Sequence, residues 1–303
     1  MELAQLLEVE AQSPQSVQVT VQSWATQLDV VHTRIAHHFT RSEPRQRVLA
    51  YLKGLLSNCQ RKNGWQLAEL MGEMTPDGMQ HNRIYCQVDA NSVRDDLQGY
   101  IVEHLGESPA IGVLDETGFL KQGDKSVGVE WQYSGTAGRV ENCQIGVFLG
   151  YATNKGFAFL DREIYLQKVW VNDQQRREVA GVPEEVKFAT KPQLARVMLE
   201  RASRAGVSLT WVCGDTVYGN DRCLREWMEE HFRLCCEKDK FWEFPKELSK
   251  SGFSSSIKSL AWLDKFNCFN RLFLPPEFLA TQPNSVPQPT RIVFLFNVTP
   301  HFI

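Results

Sequence analysis

Two aspartates, each placed after a short apolar segment, are the residues of this chain whose type and setting suit chemistry. Asp115 follows Ile111–Leu114, and Asp215 follows Leu209–Gly214, 100 positions after Asp115. Apolar runs of this length between turn signals predict buried strands. If the two strands are neighbours, their carboxylates meet and offer the oxygen ligands that Mg²⁺ and Mn²⁺ prefer.

Such a pair of carboxylates suits phosphodiester chemistry. Two bound ions about 3.5–4 Å apart can activate a water or hydroxyl and stabilise the leaving oxygen. A site of this kind normally needs a third carboxylate. Aspartates at strand ends are also common in proteins without metal sites, so the spacing alone leaves an ordinary structural role open.

The elements that must position the two acids differ between the first and second parts of the chain. Apolar residues spaced three or four apart predict helices over about 24–39, from about 44 after a cap at Ser42, over 65–71 and over 91–105. Residues 1–22 predict a loosely packed lead-in, and residues 75–78 predict a turn. Beyond Pro109 the pattern predicts strands over 111–114, 143–152, 157–166 and 209–214, a glycine-rich segment over 118–138, and helices over 191–205 and 220–232. This order predicts an α/β fold with a mixed sheet.

Composition restricts the class of protein. The chain has 303 residues, of which 43% are hydrophobic and 23% charged, as in ordinary globular proteins. It contains no apolar run long enough to span a membrane, and its N-terminus lacks a basic secretory start. Eight cysteines without a C-x-x-C pair are typical of a reducing compartment and argue against a cysteine zinc site. We therefore expect a cytoplasmic protein.

Positive charge is concentrated early in the chain, although the net charge is −3. From Val31 to Trp65 there are seven basic residues and one acid, Glu43. This density suits contacts with DNA phosphates, while a solvated helix face would explain it equally well. The candidate DNA contacts in this segment are Arg41, Arg45, Arg47, Arg61 and Lys62.

Long stretches of the chain resemble a known family. LDETGFLKQGDKSVGVEWQYSGTAGRVENCQIGVFLGYAT, LDREIYLQKVWVND and FATKPQLARVMLERASRAGVSLTWVCGDTVYGND are similar to the catalytic domain of bacterial insertion-sequence transposases of the DDE class. The upstream EPRQRVLAYLKGLLSNCQRKNGWQLAELMGEMTPDGMQ and SVRDDLQGYIVEHLG also resemble that family. The similarity runs from about Arg34 to about Trp227 and rests on many consecutive residues.

The resemblance implies a fold, an activity and a set of partners. It implies an RNase H-like fold in which two Asp residues and a Glu hold two Mg²⁺ or Mn²⁺ ions. Asp115 in LDET matches the first acid and Asp215 in GDTVYG the second. The activity would be cleavage and strand transfer at transposon ends. The partners would be double-stranded DNA, from the terminal repeats and the target, and a second copy of the chain.

The third acid is not recognisable in this chain. In the family it is a Glu on a helix well downstream of the second Asp, whereas the glutamates here that follow residue 230 lack matching surroundings: Glu237, Glu243, Glu247 and Glu277. The Ser- and Pro-rich tail resembles a truncated or frameshifted end. We expect three parts: a helical, basic DNA-binding region over 1–106, an incomplete RNase H-like core over 107–245 and an atypical tail over 246–303. We accordingly expect weak or no transposition, and the alternatives are a non-catalytic remnant that binds transposon ends and a gene fragment without function.

Residues near the two acids have competing interpretations. Glu116 is expected on the opposite face of its strand from Asp115, as a supporting or surface residue. Lys121, Lys125 and Arg139 could contact the DNA backbone or belong to a loop. Trp131 and Tyr133 could stack on an unpaired base, although packing beneath the loop is favoured. Tyr218 and Asn220 follow Asp215 closely, and both are expected to approach a phosphate. The other role open to Asn220 is that of a helix N-cap.

Overall fold

The computed structural model describes residues 14–57, 59–84 and 88–234. The described helices are α1 Pro14–Ile35, α2 Ser42–Leu56, α3 Gly64–Leu70, α4 Asp77–Ile84, α5 Ala90–Leu105, α6 Lys168–Asn172, α7 Gln174–Val179, α8 Lys191–Arg204, α9 Thr216–Gly219 and α10 Arg222–His231. A 3-10 turn, Ala36–His38, follows α1. The described strands are β1 Ile111–Leu120, β2 Glu130–Ser134, β3 Arg139–Thr153, β4 Gly156–Ile164, β5 Trp211–Gly214 and β6 Arg233–Leu234.

All six of these strands form one mixed sheet. β1 pairs with β3 in antiparallel register and with β5 in parallel register. β2 and β4 pair with successive parts of β3, and β6 continues the sheet beyond β5. The parallel step from β1 to β5 requires a crossover, which includes α8. Helices flank this sheet, so the predicted α/β class with a mixed sheet is confirmed.

The hydrophobic core joins the helical part of the chain to the sheet. One cluster of buried side chains includes Ile35 of α1, Leu52 of α2, Tyr100 of α5, Leu149 of β3 and Met198 of α8. β3 is buried at every position from Cys143 to Thr153, as expected for a central strand with both faces covered. Burial of this one shared core therefore holds the basic helices and the sheet together.

The glycine-rich segment contains more strand than the sequence predicted. β1 continues from Asp115 through Leu120, and β2 lies where a loop was expected. A glycine makes this extension possible, because a Cβ at Gly118 would lie 2.4 Å from Oγ of Ser134. The strand predicted over 111–114 is therefore too short at its C-terminal end, and Asp115 lies within β1 rather than after it.

Other differences concern helix positions. α1 begins at Pro14, so part of the predicted lead-in is helical. The predicted turn at residues 75–78 overlaps the start of α4 at Asp77. α6 and α7 were not anticipated, because each is too short to show a helical period. The tail over 246–303 and the four downstream glutamates lie outside the described residues. In the part of the chain that the structure describes, no helix is long and apolar enough to cross a bilayer.

Candidate active site

The pairing of β1 with β5 brings the two predicted acids together. In the parallel register Leu114 is opposite Gly214, and these two residues are the last pair of the two strands. Asp115 follows Leu114, and Asp215 follows Gly214. Parallel strands lie about 4.8 Å apart in the hydrogen-bonding direction. The two aspartates therefore lie at the same end of the parallel strand pair, on adjacent segments of backbone.

Each carboxylate is oriented by a backbone amide. Oδ1 of Asp115 accepts a hydrogen bond from the amide of Glu116 at 2.8 Å. Oδ1 of Asp215 accepts one from the amide of Val217 at 2.9 Å, which makes Asp215 the N-cap of α9. Asp115 is half-buried and Asp215 is exposed. The acids are thus set by the local chain before any ligand arrives.

Glu116 joins the site through two side chains that come from other elements. Its Oε1 lies 2.6 Å from Nζ of Lys191, the first residue of α8. Its Oε2 accepts a hydrogen bond from the hydroxyl of Tyr218 in α9 at 2.7 Å. Glu116 is only 19% exposed, so its geometry is that of a supporting residue and not of a surface one.

Tyr218 occupies a buried position that a glycine makes possible. Its side chain is 0% exposed. A Cβ at Gly214 would lie 3.2 Å from Cβ of Tyr218, so a larger residue at 214 would press against the ring. Because Tyr218 is buried and bonded to Glu116, the expected approach to a phosphate is wrong. Asn220 does not cap α10 either, since Asp221 is the residue whose carboxylate accepts the amide of Leu224.

Negative charge is concentrated at this edge of the sheet. Desolvation raises the pKa of Asp215, the carboxylate of Glu116 raises it further, and Lys191 opposes both. The pKa of Tyr218 is raised well above its usual value, first by burial and then by Glu116, with additional contributions from Asp115 and Asp215. One ammonium is therefore set against three carboxylates.

The donor set fits a hard divalent cation. Asp115 and Asp215 provide carboxylate oxygens, which are the ligands that Mg²⁺ and Mn²⁺ prefer. The carboxylate of Glu116 contributes, after desolvation, to the raised pKa of Asp215, as expected where negative charges lie close together. Among the described residues, however, these acids do not form a group of three with ligand atoms within 4.8 Å of one another. The third-acid candidates Glu237, Glu243, Glu247 and Glu277 lie outside the described residues.

The basic residues predicted to contact DNA have different surroundings. Arg41, Arg45 and Arg61 are exposed, although Nε of Arg45 also donates to the carbonyl of Phe39 at 2.6 Å. Arg47 is half-buried and pairs with Glu43 and Glu73. Lys62 is a correction, because it is 7% exposed and donates to the carbonyl oxygens of Gly54 and Ser57 near the end of α2. Lys62 therefore belongs to the fold and not to a DNA surface.

The three candidate DNA contacts that come after β1 in the chain also differ in their surroundings. Lys125 is exposed. Arg139 is exposed and pairs with Glu141 on β3. Lys121 is half-buried, and desolvation lowers its pKa. Lys125 and Arg139 are thus the more accessible of the three.

Two aromatic side chains on β2 are exposed, contrary to the favoured packing interpretation. Trp131 is 66% and Tyr133 is 63% exposed. Residues two apart on a strand share a face, and their partners on β3, Asn142 and Val140, share it too. Packing beneath the loop is therefore wrong, and the aromatic pair is accessible from solvent.

Lys191 is the site residue that sequence reasoning missed. Thr190 caps α8 through a capping box with Gln193, which places Lys191 in the first turn. A cation is unfavourable at the positive end of a helix, so a lysine in this position was a signal that a nearby anion compensates it. Its anion is Glu116.

Comparisons with known proteins place the chain in a family. The model of the DDE superfamily endonuclease family matches residues 34–233. A probable transposase for insertion sequence element IS701, from Microchaete diplosiphon, is 28% identical over 167 residues, which are 55% of this chain and 41% of that protein. The chain therefore spans less than half the length of this relative.

Two solved structures also match. The Mos1 strand transfer complex is 12% identical and covers 81% of this chain and 73% of its own, with a TM-score of 0.25. The Mos1 mariner paired end complex with Mn is 10% identical and covers 81% and 74%, also with a TM-score of 0.25. Likenesses at this level add nothing to the assignment. The family match includes both aspartates and two-thirds of the sequence, and the chain belongs to the DDE superfamily endonucleases.

Proposed function

We propose that this protein is an insertion-sequence transposase that cleaves and joins DNA strands at transposon ends, with divalent ions held by Asp115 and Asp215. The observation that carries the proposal is the parallel register, in which Leu114 and Gly214 are partners and the two acids follow them on adjacent strands. The match to a family of endonucleases and the similarity to a probable transposase support it.

The chain's own residues would prepare the site for the reaction. Asp115 and Asp215 would hold Mg²⁺ or Mn²⁺, which when bound supplies an activated water or hydroxyl and stabilises the leaving oxygen. The backbone amides of Glu116 and Val217 keep the two carboxylates in place. Lys191 and Tyr218 hold the carboxylate of Glu116, so that its negative charge acts on the site from a fixed position. Positioned charges of this kind account for most catalysis of phosphoryl transfer.

The DNA would contact exposed positive charge and exposed aromatic rings. Arg41, Arg45 and Arg61 are accessible to phosphates in the helical part, as are Lys125 and Arg139 near the sheet. Trp131 and Tyr133 could stack on bases that unpair beside the cut. The partners would be the terminal repeats and the target DNA. Two transposon ends must be cut together, so the chain would act as a dimer.

We further propose that turnover is low. The carboxylate that lies beside the pair in the described structure is Glu116, and both of its oxygens already have partners in Lys191 and Tyr218. It is thus poorly placed to serve as the third ion ligand. Loss of one ligand would reduce the rate strongly because positioning and charge act together.

Cleavage and strand transfer with oligonucleotides that carry the element's own terminal repeats test this function. We expect slow, Mn²⁺-dependent nicking that Asp115→Asn and Asp215→Asn abolish, while band shifts in EDTA persist. Binding with no nicking at any Mn²⁺ concentration would instead identify a DNA-binding remnant. Rapid strand transfer that needs Asp115 would contradict the proposal of low turnover.

A further inference from the structure

Two adjacent histidines and an aspartate meet at the junction between α1 and α5, in a cluster unrelated to the acids of the sheet. His37 and His38 form the 3-10 turn after α1, and Asp96 lies on α5. Nε2 of His38 lies 2.7 Å and Nε2 of His37 lies 3.6 Å from the same oxygen, Oδ2 of Asp96. In the described part of the chain this is the one group of three or more such side chains whose ligand atoms all lie within 4.8 Å of one another.

We propose that His37, His38 and Asp96 bind a divalent transition metal, and that the best-fitting metal is Zn²⁺. Zinc–nitrogen bonds are about 2.0–2.1 Å long, so ligand atoms of a tetrahedral site are about 3.3 Å apart. The distance from His37 to Asp96 is already close to this value. The shorter distance from His38 to Asp96 requires an opening of about 0.6 Å, which a rotation of the imidazole can supply.

The type of donor selects the metal. Imidazole nitrogens suit zinc, copper and nickel, whereas magnesium prefers a shell of oxygens. His37 is 65% exposed, while Asp96 is 31% and His38 14% exposed. A metal held there would be anchored from the protein side by two half-buried ligands, and a water could complete the tetrahedron from solvent.

The packing around the cluster keeps its ligands in register. Arg34 on α1 makes two hydrogen bonds of 2.6 and 2.7 Å with the carboxylate of Glu103. Glu103 follows Asp96 by two turns, so both acids lie on the side of α5 that meets α1. Ile35 and Phe39, which bracket the 3-10 turn, are buried in the core. Only small side-chain movements would therefore be needed to bind the ion.

The consequence of this site would be structural. The turn that carries the histidines leads directly into α2, the helix that contains Arg45 and Arg47. Nε2 of His32, about one helical turn before the site, donates a hydrogen bond of 2.7 Å to the carbonyl oxygen of Arg45. A metal bound across the turn would fix the start of the basic helix relative to α5. This inference does not depend on the activity proposed for Asp115 and Asp215.

Titration of the full chain with Zn²⁺ and Co²⁺ tests the proposal. An Asp115→Asn/Asp215→Asn background removes the ion site of the sheet, and calorimetry and the cobalt absorption spectrum report binding. We expect about one equivalent bound, no thiolate-to-cobalt charge transfer, and a weakening of about tenfold or more in His37→Ala and in Asp96→Asn. His37 is largely exposed, so His37→Ala should fold as the parent does, and thermal unfolding checks this.

His231→Ala is the matched control, because this exposed histidine lies at the end of α10 and, among the described residues, contacts its own helix and neighbouring rings. It should bind the metal as tightly as the parent. Three results would overturn the proposal. The first is an absence of stoichiometric binding by the parent, and the second is equal affinity in the parent, His37→Ala and Asp96→Asn. The third is charge transfer from thiolate to cobalt, which would assign the metal to the cysteines.

Discussion

The hydroxyl of Tyr218 lies 2.7 Å from Oε2 of Glu116 and donates its hydrogen to that carboxylate. This bond connects α9 to β1, and so connects the backbone that carries Asp215 to the one that carries Asp115. The ion pair of Glu116 with Lys191 at 2.6 Å adds α8 to the same group. Three elements that are distant in sequence are thereby held at the candidate active site by one carboxylate.

Replacement of Tyr218 by Phe tests this connection. The ring would remain buried while Glu116 loses a hydrogen-bond donor, so we expect the free energy of unfolding to fall by about 1–2 kcal/mol. Nicking should fall as well, because α9 would be held less firmly. Urea denaturation measures the first effect. An unchanged stability would mean that the bond is not formed in solution.

Asp215 combines a helix cap with a proposed ion ligand, and two substitutions separate these roles. Asn is as good an N-cap as Asp, whereas Ala provides no acceptor. We expect Asp215→Asn and Asp215→Ala to be equally inactive in Mn²⁺-dependent nicking, while Asp215→Ala is the less stable by about 1 kcal/mol. Nicking by Asp215→Asn at the parent rate would refute the ligand role.

The raised pKa of Asp215 predicts a dependence of stability on pH. The folded chain holds this proton more tightly than the unfolded chain does. The resulting stabilisation is present below the unfolded pKa of about 3.9 and is lost as the pH rises through the folded pKa. Without divalent ions, Asp215→Asn should therefore gain stability relative to the parent between acid and neutral pH. Denaturant titrations at several pH values check this, and a difference that does not change with pH would contradict it.

Asp161 is predicted to be important for stability rather than for chemistry. It is 0% exposed, its Oδ2 lies 2.9 Å from Nε of Arg201, and Nη1 atoms of Arg94 and Arg162 lie 3.6 Å from its Oδ1. Asp161→Asn would remove the buried anion that these guanidinium groups share, at a cost of about 3–5 kcal/mol in unfolding free energy. The matched control is Glu200→Gln, in an exposed pair with Arg196, where about 0.5 kcal/mol or less is expected.

The exposed rings of β2 predict a defect in binding without a defect in folding. Trp131→Ala and Tyr133→Ala should weaken binding to DNA with an unpaired end by about 1–3 kcal/mol each. Stability should change by no more than about 0.5 kcal/mol, since both side chains are exposed. Val140→Ala, on the facing strand, controls for loss of apolar surface. Fluorescence anisotropy gives the affinities, and equal binding by all three variants would exclude stacking.

The sequence predicted what depends on local pattern. Asp115 and Asp215 were found because apolar runs precede them, and the period of α8 gave that helix almost at its observed bounds. The hydrophobic alternation over 143–152 found β3 but missed its first four residues. Lys191 and Tyr218 could not be assigned, because their partner Glu116 is 75 and 102 residues away and pairing over such distances depends on the sheet.

Charge alone was a poor guide to DNA contacts. Lys62 was chosen for its sign, but its ammonium donates hydrogen bonds to the carbonyl oxygens of Gly54 and Ser57 at the end of α2. The glycine-rich segment was mistaken for a loop for a related reason. Gly118 is a strand residue whose missing side chain admits Ser134, and only the partner reveals that need.

The shared core described above has a consequence for how DNA would be measured. Ile35, Leu52 and Tyr100 pack in the same cluster as Leu149 and Met198, so the basic α2 and the edge that carries Asp115 are parts of one rigid unit. A DNA duplex bound at α2 would reach Asp115 and Asp215 after a fixed number of base pairs. The protein would then work as a ruler, and the position of the nick relative to the protected nucleotides would be a constant of the fold.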